Sequence, residues 1–154
     1  MYKRQRYDII EADALRPTGA YAGNLYSVEY FELLRSRLRP GGFAVTWAPT
    51  PRVRDTVVAV FPHVRVFPGI VIGSDAPIAV DRSVVLDRMR QPAVRGYYGA
   101  GGIDIERLLT PLLDGELASY SPAFDRTALS DLNRDLFPRD EFALPYAGTA
   151  LDAR

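Results

Sequence analysis

The first third of the chain alternates between short apolar runs and an apolar stripe at helical spacing. Residues 7–12 predict a β-strand. Residues 14–24 are rich in Gly, Pro and Ala and predict a loop, after which Ser27 is a suitable N-cap for a helix. The apolar positions of that helix are Tyr30, Phe31, Leu34 and Leu38. Residues 40–42, Pro-Gly-Gly, predict its end, with glycine as the C-terminal cap, and residues 43–47 predict a second strand.

The middle of the chain repeats this alternation and then changes to short strands. Thr50 followed by Pro51 is a cap and first-turn signal for a second helix. Residues 64–67 and 70–72 predict two short strands separated by Pro68-Gly69, and residues 78–80 are a candidate third.

The last part of the chain predicts two more helices and an irregular tail. Asp81 caps a helix that runs to Met89, and Asp104 caps another with a strongly apolar face. Residues 95–103, rich in Gly and Tyr, predict a loop between them, and residues 119–154 predict no regular structure. The order of elements indicates an α/β fold whose parallel βαβ unit is followed by antiparallel strands.

Composition excludes several classes of function. The 154 residues carry 19 basic and 19 acidic side chains, so a nucleic acid or an anionic membrane is not expected as a partner. The chain has no cysteine and His63 is its single histidine, so a metal site is not expected. We find no apolar run of the ~20 residues that a membrane helix needs and no signal peptide, and we expect a cytoplasmic protein.

The candidate chemistry lies just after the first strand. Asp13 follows the carboxyl end of that strand, which is where open α/β sheets bind ligands, and Glu11 lies two residues earlier on the same side. A carboxylate in this place can hold an amine or accept its proton. Alternatively, Asp13 caps the loop by binding backbone N–H groups.

A set of sequence blocks resembles the aminopropyltransferase (spermidine synthase) family. These blocks are YDII at 7–10, LYSVEYFELL at 25–34 and LRPGG at 38–42, with VFPHVRVFPG at 60–69 and NRDLFPRDEF at 133–142. Two further blocks, Ala22-Gly23-Asn24-Leu25-Tyr26 and Trp47-Ala48-Pro49, are similar to the bacterial branch of the family that is often fused to membrane segments. The resemblance implies the C-terminal half of a Rossmann-like, class I methyltransferase-type sheet at residues 1–118, with a helical and irregular tail at 119–154 packing on it.

The resemblance also implies roles for individual residues. Asp13 matches the first Asp of the family's catalytic loop, where it would deprotonate or orient the attacking amine. The co-substrate would be decarboxylated S-adenosylmethionine, in contact with Ala14 and Leu15. Arg16 stands where the family has a second Asp, and a guanidinium repels an ammonium group, which disfavours putrescine as the amine. The amine site would be formed by Glu11, Arg16, Tyr26 and Trp47.

The Gly-rich turn that holds the nucleoside in this family has no counterpart here. We therefore expect a complementary chain, a swapped protomer or adjoining sequence to supply it. The first strand also predicts an unpaired sheet edge, which a second copy or that complementary chain would cover. The sequence thus supports two hypotheses, an aminopropyltransferase that needs a second half and a non-catalytic remnant that acts as a dimeric binding or interaction module.

Overall fold

The computed structural model describes residues 5–12, 19, 22–115 and 117–141. The chain forms two compact units. The first comprises residues 1–78 and 119–154, and the second comprises residues 79–118. The predicted domain boundary after residue 118 stays a prediction, although the second unit also ends at that residue.

The first unit contains a five-stranded sheet with the strand order β1-β2-β4-β3-β5. Its strands are β1 (Tyr7–Ala12), β2 (Leu38–Trp47), β3 (His63–Phe67), β4 (Ile70–Ser74) and β5 (Ser119–Tyr120). β1 pairs with β2 in parallel, and all other pairs are antiparallel. This confirms the expected α/β fold, and the arrangement is that of a Rossmann-like half domain.

Two capped helices connect the first strands. In α1 (Val28–Ser36) the Ser27 hydroxyl accepts the Tyr30 N–H, and in α2 (Pro51–Val60) the Thr50 hydroxyl accepts the Val53 N–H. Each bond satisfies one of the free N–H groups of a first helical turn. Both caps were predicted, because Ser and Thr before an apolar helical stripe are typical N-caps.

The helices α1 and α2 lie side by side on one face of the sheet. We call this the first face, and it carries small or β-branched side chains on the strands. Its residues are Ala12, Ala44, Thr46, Val64, Val71 and Gly73. They pack with buried helix residues such as Phe31 and Val57 to form the hydrophobic core.

The opposite face, which we call the second face, carries larger side chains. Strand register places on it Ile9, Glu11, Phe43, Val45, Trp47, Ile70, Ile72, Arg65 and Phe67. These residues are half-buried or exposed, and none belongs to the core cluster. Among the described residues of the first unit, α1 and α2 pack on the first face and not on this one.

The predicted end of the first helix is wrong. Helix α1 ends at Ser36, and Pro40-Gly41-Gly42 lies within β2. Gly41 has φ +76°, and the β1–β2 register shifts beside it, between Tyr7 and Ile9. A Cβ at Gly42 would stand 2.8 Å from the Asp8 carbonyl oxygen. These glycines therefore allow an irregular strand to approach β1 closely, rather than cap a helix.

The second unit is helical, with α3 (Arg82–Arg90), α4 (Pro92–Ala100) and α5 (Ile105–Asp114). The Asp81 and Asp104 caps were predicted and are present. The loop predicted at 95–103 is wrong, because most of it forms α4, and residues 78–80 do not form a strand. In α4, Pro92 occupies the first turn, and its fixed φ favours the helix despite the following glycines.

Candidate functional site

The carboxyl ends of β1 and β2 lie side by side, at the edge where open α/β sheets bind ligands. The Thr46 hydroxyl donates to the Ala12 carbonyl at 3.1 Å and so joins the two strand ends inside the protein. Three residues after Trp47, Thr50 caps α2. The end of β1 is therefore held in a fixed framework at this edge.

Residues 131–141, which we call the strap, cross the N-termini of α1 and α2. The Val28 N–H donates to the Asn133 carbonyl at 3.0 Å, and the Asn133 N–H donates to the Thr56 hydroxyl at 3.2 Å. Asn133 is fully buried, so these bonds form away from solvent. The strap is therefore fixed to both helices through one residue.

A buried carboxylate, Asp140, holds the strap to the start of α2. It accepts hydrogen bonds from the Thr50 hydroxyl at 3.0 Å and the Asn133 amide at 2.9 Å, and it forms an ion pair with Arg52. Arg52 also pairs with Asp131 at 2.8 Å. The hydrogen bond from Arg52 lowers the pKa of Asp131 below its ordinary value. Desolvation raises the pKa, and the hydrogen bond from Arg139 lowers it further.

A second carboxylate, Asp135, meets the start of α1. Its Oδ1 accepts the Ser27 hydroxyl at 2.5 Å. Glu29, in the first turn of α1, accepts the Asp135 N–H at 3.2 Å and pairs with Arg134 at 3.3 Å. Burial raises the pKa of Glu29, but these hydrogen bonds and the ion pair more than offset it and leave the pKa below its ordinary value.

The segment before the strap holds the other end of α2. The Arg126 guanidinium donates to the carbonyls of Val58, Phe61 and Pro62 at 2.8, 3.0 and 2.9 Å. A cation at the C-terminus of α2 and the Asp140 carboxylate at its N-terminus both complement the helix dipole. Residues 119–141 therefore fix α2 at both ends.

The strap also brings two of the sequence blocks into contact. A Cβ at Gly23 would stand only 2.1 Å from Pro138 Cβ, so only glycine fits beneath Pro138. Gly23 begins a short 3₁₀ helix, Gly23–Tyr26, that leads into α1. The block at 22–26 and residues 133–141 of the last block are thus parts of one structure at the carboxyl edge of the sheet.

These contacts determine what the arrangement can do chemically. The positive ends of both helix dipoles already face carboxylates of the strap, so neither helix N-terminus favours an additional anion. The Asp140 oxygens are buried and accept hydrogen bonds from three groups, so this carboxylate has a structural role. The strap is therefore a structural element that holds the N-termini of α1 and α2 beside the carboxyl ends of the strands.

The predicted site residues fall into three groups. Asp13, Ala14, Leu15 and Arg16 lie outside the described residues. Glu11 and Trp47 lie on the same face of neighbouring strands, because Glu11 is the register partner of Val45, two residues before Trp47.

Tyr26 is fully buried in the core beside α1 and is not brought together with Glu11 and Trp47. The ligand contacts of all these residues stay predictions.

Sequence reasoning missed the cluster of Asp140, Arg52 and Asn133. One signal was present, since Thr50 was predicted as a helix cap and Asn133 begins the last sequence block. The residues that contact a helix cap from distant parts of the sequence are decided by tertiary packing and leave no local signal.

Among the residues that the structure describes, no group of three or more His, Asp or Glu could hold a metal ion, and no helix is long and apolar enough to cross a membrane.

Comparison with known proteins gives one partial match. No family model matches the chain. The chain is similar to polyamine aminopropyltransferase 2 of Hyperthermus butylicus, with 36% identity over 70 residues, which cover 40% of this chain and 23% of that protein. The chain thus spans less than a quarter of the relative's length. This likeness supports a relation to the spermidine-synthase-like family over the matched part.

Proposed function

We propose that the chain is the catalytic-side half of an aminopropyltransferase-like enzyme. The observation that carries the proposal is the parallel β1–β2 pair, whose carboxyl ends lie together beside the strap. The partial likeness to a polyamine aminopropyltransferase supports the same proposal. The proposal includes a cytoplasmic location and a closer relation to the bacterial branch of the spermidine synthase family.

The proposed reaction transfers an aminopropyl group from decarboxylated S-adenosylmethionine to a small amine. The amine nitrogen attacks the propyl carbon next to the sulfonium, the carbon–sulfur bond breaks, and methylthioadenosine leaves. Asp13 accepts the proton of the ammonium group, which with a pKa near ~10 is no nucleophile until it is deprotonated. Glu11, whose exposed carboxylate has no hydrogen-bond or ion-pair partner among the described residues, can hold a second ammonium group of the amine.

The other half of the proposed site would come from a complementary chain, a swapped protomer or adjoining sequence. β1 is an edge strand, and Ile9 beside the free edge is 57% exposed. An open groove of about 530 Å³ runs along this edge between β1 and α1, lined by residues that include Tyr7, Ile9 and Leu33. A strand added here would lengthen the parallel sheet and place its own carboxyl end beside that of β1.

Calorimetric titration of the purified chain with decarboxylated S-adenosylmethionine and methylthioadenosine tests the proposal. We expect weak but measurable binding of both nucleosides by the chain alone, because the turn that would hold the nucleoside belongs to the complementary half. A well-folded chain that binds neither would refute the transferase proposal for this polypeptide.

Asp13→Asn should lower aminopropyl transfer by about 100-fold or more, because the ammonium loses its proton acceptor. The measurement is the rate of methylthioadenosine release. As a control, Glu11→Gln should raise KM for the amine with a smaller change in kcat. Unchanged turnover in Asp13→Asn would remove Asp13 from the mechanism.

A second candidate function is a dimeric binding module without catalysis. The observation that favours it is the apolar second face, on which neither helix of the first unit packs. Sedimentation tests this candidate, since the module requires self-association and a stable monomer would rule it out.

A further inference from the structure

A buried hydroxyl on β2 reaches the end of the neighbouring strand at the carboxyl edge of the sheet. The side chain belongs to Thr46, which is 3% exposed. Its hydroxyl donates to the Ala12 carbonyl at 3.1 Å and also lies 3.2 Å from the Trp47 carbonyl. A hydroxyl has one proton, so the two carbonyls share it. Of these two contacts, the one to Ala12 joins β2 to β1.

The surroundings of Thr46 suit an apolar side chain. Its register partners, Ala12 on β1 and Val71 on β4, both belong to the hydrophobic core. Valine has nearly the same shape as threonine and would fill this space without a hydroxyl. A buried hydroxyl costs free energy unless it forms a hydrogen bond. The bond to the end of β1 is therefore a contribution that valine could not make.

The two strands that this bond joins are not equally constrained. In the described sheet β2 pairs with β1 on one side and with β4 on the other, whereas β1 is an edge strand with one neighbour. Beyond the end of β2, the Ala48 N–H donates to the Gly69 carbonyl at 2.9 Å. Strand ends that few hydrogen bonds hold open more readily than the rest of a sheet. Thr46 thus fastens the less constrained strand end to the more constrained one.

The Ala12 carbonyl leads directly into the proposed base. It belongs to the peptide bond between Ala12 and Asp13. A peptide unit is planar, so holding its oxygen restricts the direction in which the chain leaves the strand. A proton acceptor has to lie within hydrogen-bond reach of the ammonium group, and a displacement of about 1 Å can lower a rate about 100-fold. The orientation of this peptide unit therefore matters for the proposed reaction.

We propose that Thr46 is a positioning residue for aminopropyl transfer, because its hydroxyl fixes the end of β1 from which Asp13 reaches the amine. Thr46 is buried on the first face and acts through Asp13 rather than on the substrates. This inference rests on the proposed transferase function. It adds a residue on the second strand to a site whose base follows the first.

Thr46→Val tests the inference, since it removes the hydroxyl and keeps the shape of the side chain. In the enzyme completed by its other half, it should lower kcat about tenfold and leave KM for the amine within about twofold, because it displaces the base without removing a substrate contact. Thr46→Ser keeps the hydroxyl and should retain most of the activity. The rate of methylthioadenosine release measures all three proteins.

Ser74→Ala is the matched control. The Ser74 hydroxyl is also buried and donates to a carbonyl of the neighbouring strand, that of Gly42, at 2.8 Å. Gly42 lies four residues before Thr46 on β2, roughly 13 Å from the carboxyl edge. Ser74→Ala and Thr46→Val should both lower the urea midpoint, but only Thr46→Val should slow transfer. If Ser74→Ala lowers kcat equally, lost stability explains the effect and the inference is overturned.

A double variant with Asp13→Asn separates positioning from a general structural role. If Thr46 acts through Asp13, Thr46→Val should change the residual rate of Asp13→Asn by less than about twofold. An equal tenfold loss in both backgrounds would overturn the inference, because the hydroxyl would then act without Asp13.

Failure of this inference is distinct from failure of the transferase proposal. An active wild type in which Thr46→Val transfers at the normal rate overturns the role of Thr46 and leaves the transferase proposal intact. A completed wild type without any transfer refutes the transferase proposal and the role of Thr46 with it.

Discussion

The first and second faces of the sheet are built from the same strands but stabilise the protein differently. On the first face, small strand residues allow α1 and α2 to approach, and large residues such as Phe31 and Phe61 come from the helices and the segment after α2. The strap adds polar bonds on that side, at the helix N-termini. On the second face the strands supply large side chains, and neither α1 nor α2 covers them. The positions of α1 and α2, rather than the hydrophobicity of the strand residues, therefore decide on which face of the sheet the core forms.

The largest effect should come from truncating an aromatic ring in each environment. Phe61 is fully buried, and its ring would stand 2.4 Å from a Cβ at Gly73. Phe61→Ala should lower the free energy of unfolding by about 3–5 kcal/mol. Phe43→Ala on the second face should cost less, about 1–2 kcal/mol, because that side chain is only partly buried.

Urea denaturation followed by the fluorescence of Trp47, the single tryptophan, measures both. If Phe61→Ala and Phe43→Ala lower the free energy of unfolding equally, at a concentration where the chain is monomeric, the distinction between the two faces is wrong.

The next effect concerns the buried end of the strap. Asp140→Asn should cost about 2–3 kcal/mol, because it removes the charge that Arg52 faces in a buried site. Asp131→Asn is the control, since its side chain is 52% exposed and pairs with the same Arg52. It should cost less than about 1 kcal/mol. Equal costs for the two variants would show that burial does not determine the strength of these pairs.

A smaller effect is expected where the strap crosses Gly23. Gly23→Ala should destabilise the first unit by about 1–2 kcal/mol, because the added methyl group forces Pro138 to move. Gly96→Ala is the matched control, since an added Cβ there meets no heavy atom within 4 Å and Gly96 lies inside α4. That change should stabilise its helix by about 0.5–1 kcal/mol. Thermal denaturation followed by circular dichroism compares them, and a stable Gly23→Ala variant would contradict the close contact.

The smallest effect is the response of the strap to acid. The folded-state pKa values of Asp131 and Glu29 lie below the ordinary 3.8 and 4.5. Their stabilisation is therefore fully present above about pH 4.5 and is lost as the pH falls through the lowered values.

Urea midpoints between about pH 5 and 3 should fall less steeply in an Asp131→Asn, Glu29→Gln double variant than in the wild type. Parallel curves would show that these carboxylates do not contribute to acid sensitivity.

The sequence by itself determined the elements whose signals are local. Ser27, Thr50, Asp81 and Asp104 were recognisable as helix caps, since a cap depends on a side chain and the backbone two or three residues later. The strands at 7–12, 64–67 and 70–72 were recognisable from apolar runs between turn residues. The α/β class followed from the order of these elements.

Tertiary structure decided the rest. Pro40-Gly41-Gly42 looked like a helix end but forms part of β2, because the neighbouring β1 backbone needs the space that Gly42 leaves. Asp140 was one acid among several in an irregular tail, and its burial depends on Thr50 and Arg52, which lie 90 and 88 positions away in the sequence. The sequence also did not determine which face of the sheet the helices cover. Both faces of β2 carry apolar residues, and only the placement of α1 and α2 decides which of them is buried. Local chemistry thus specified the elements, and packing between distant residues specified the strap and the two faces.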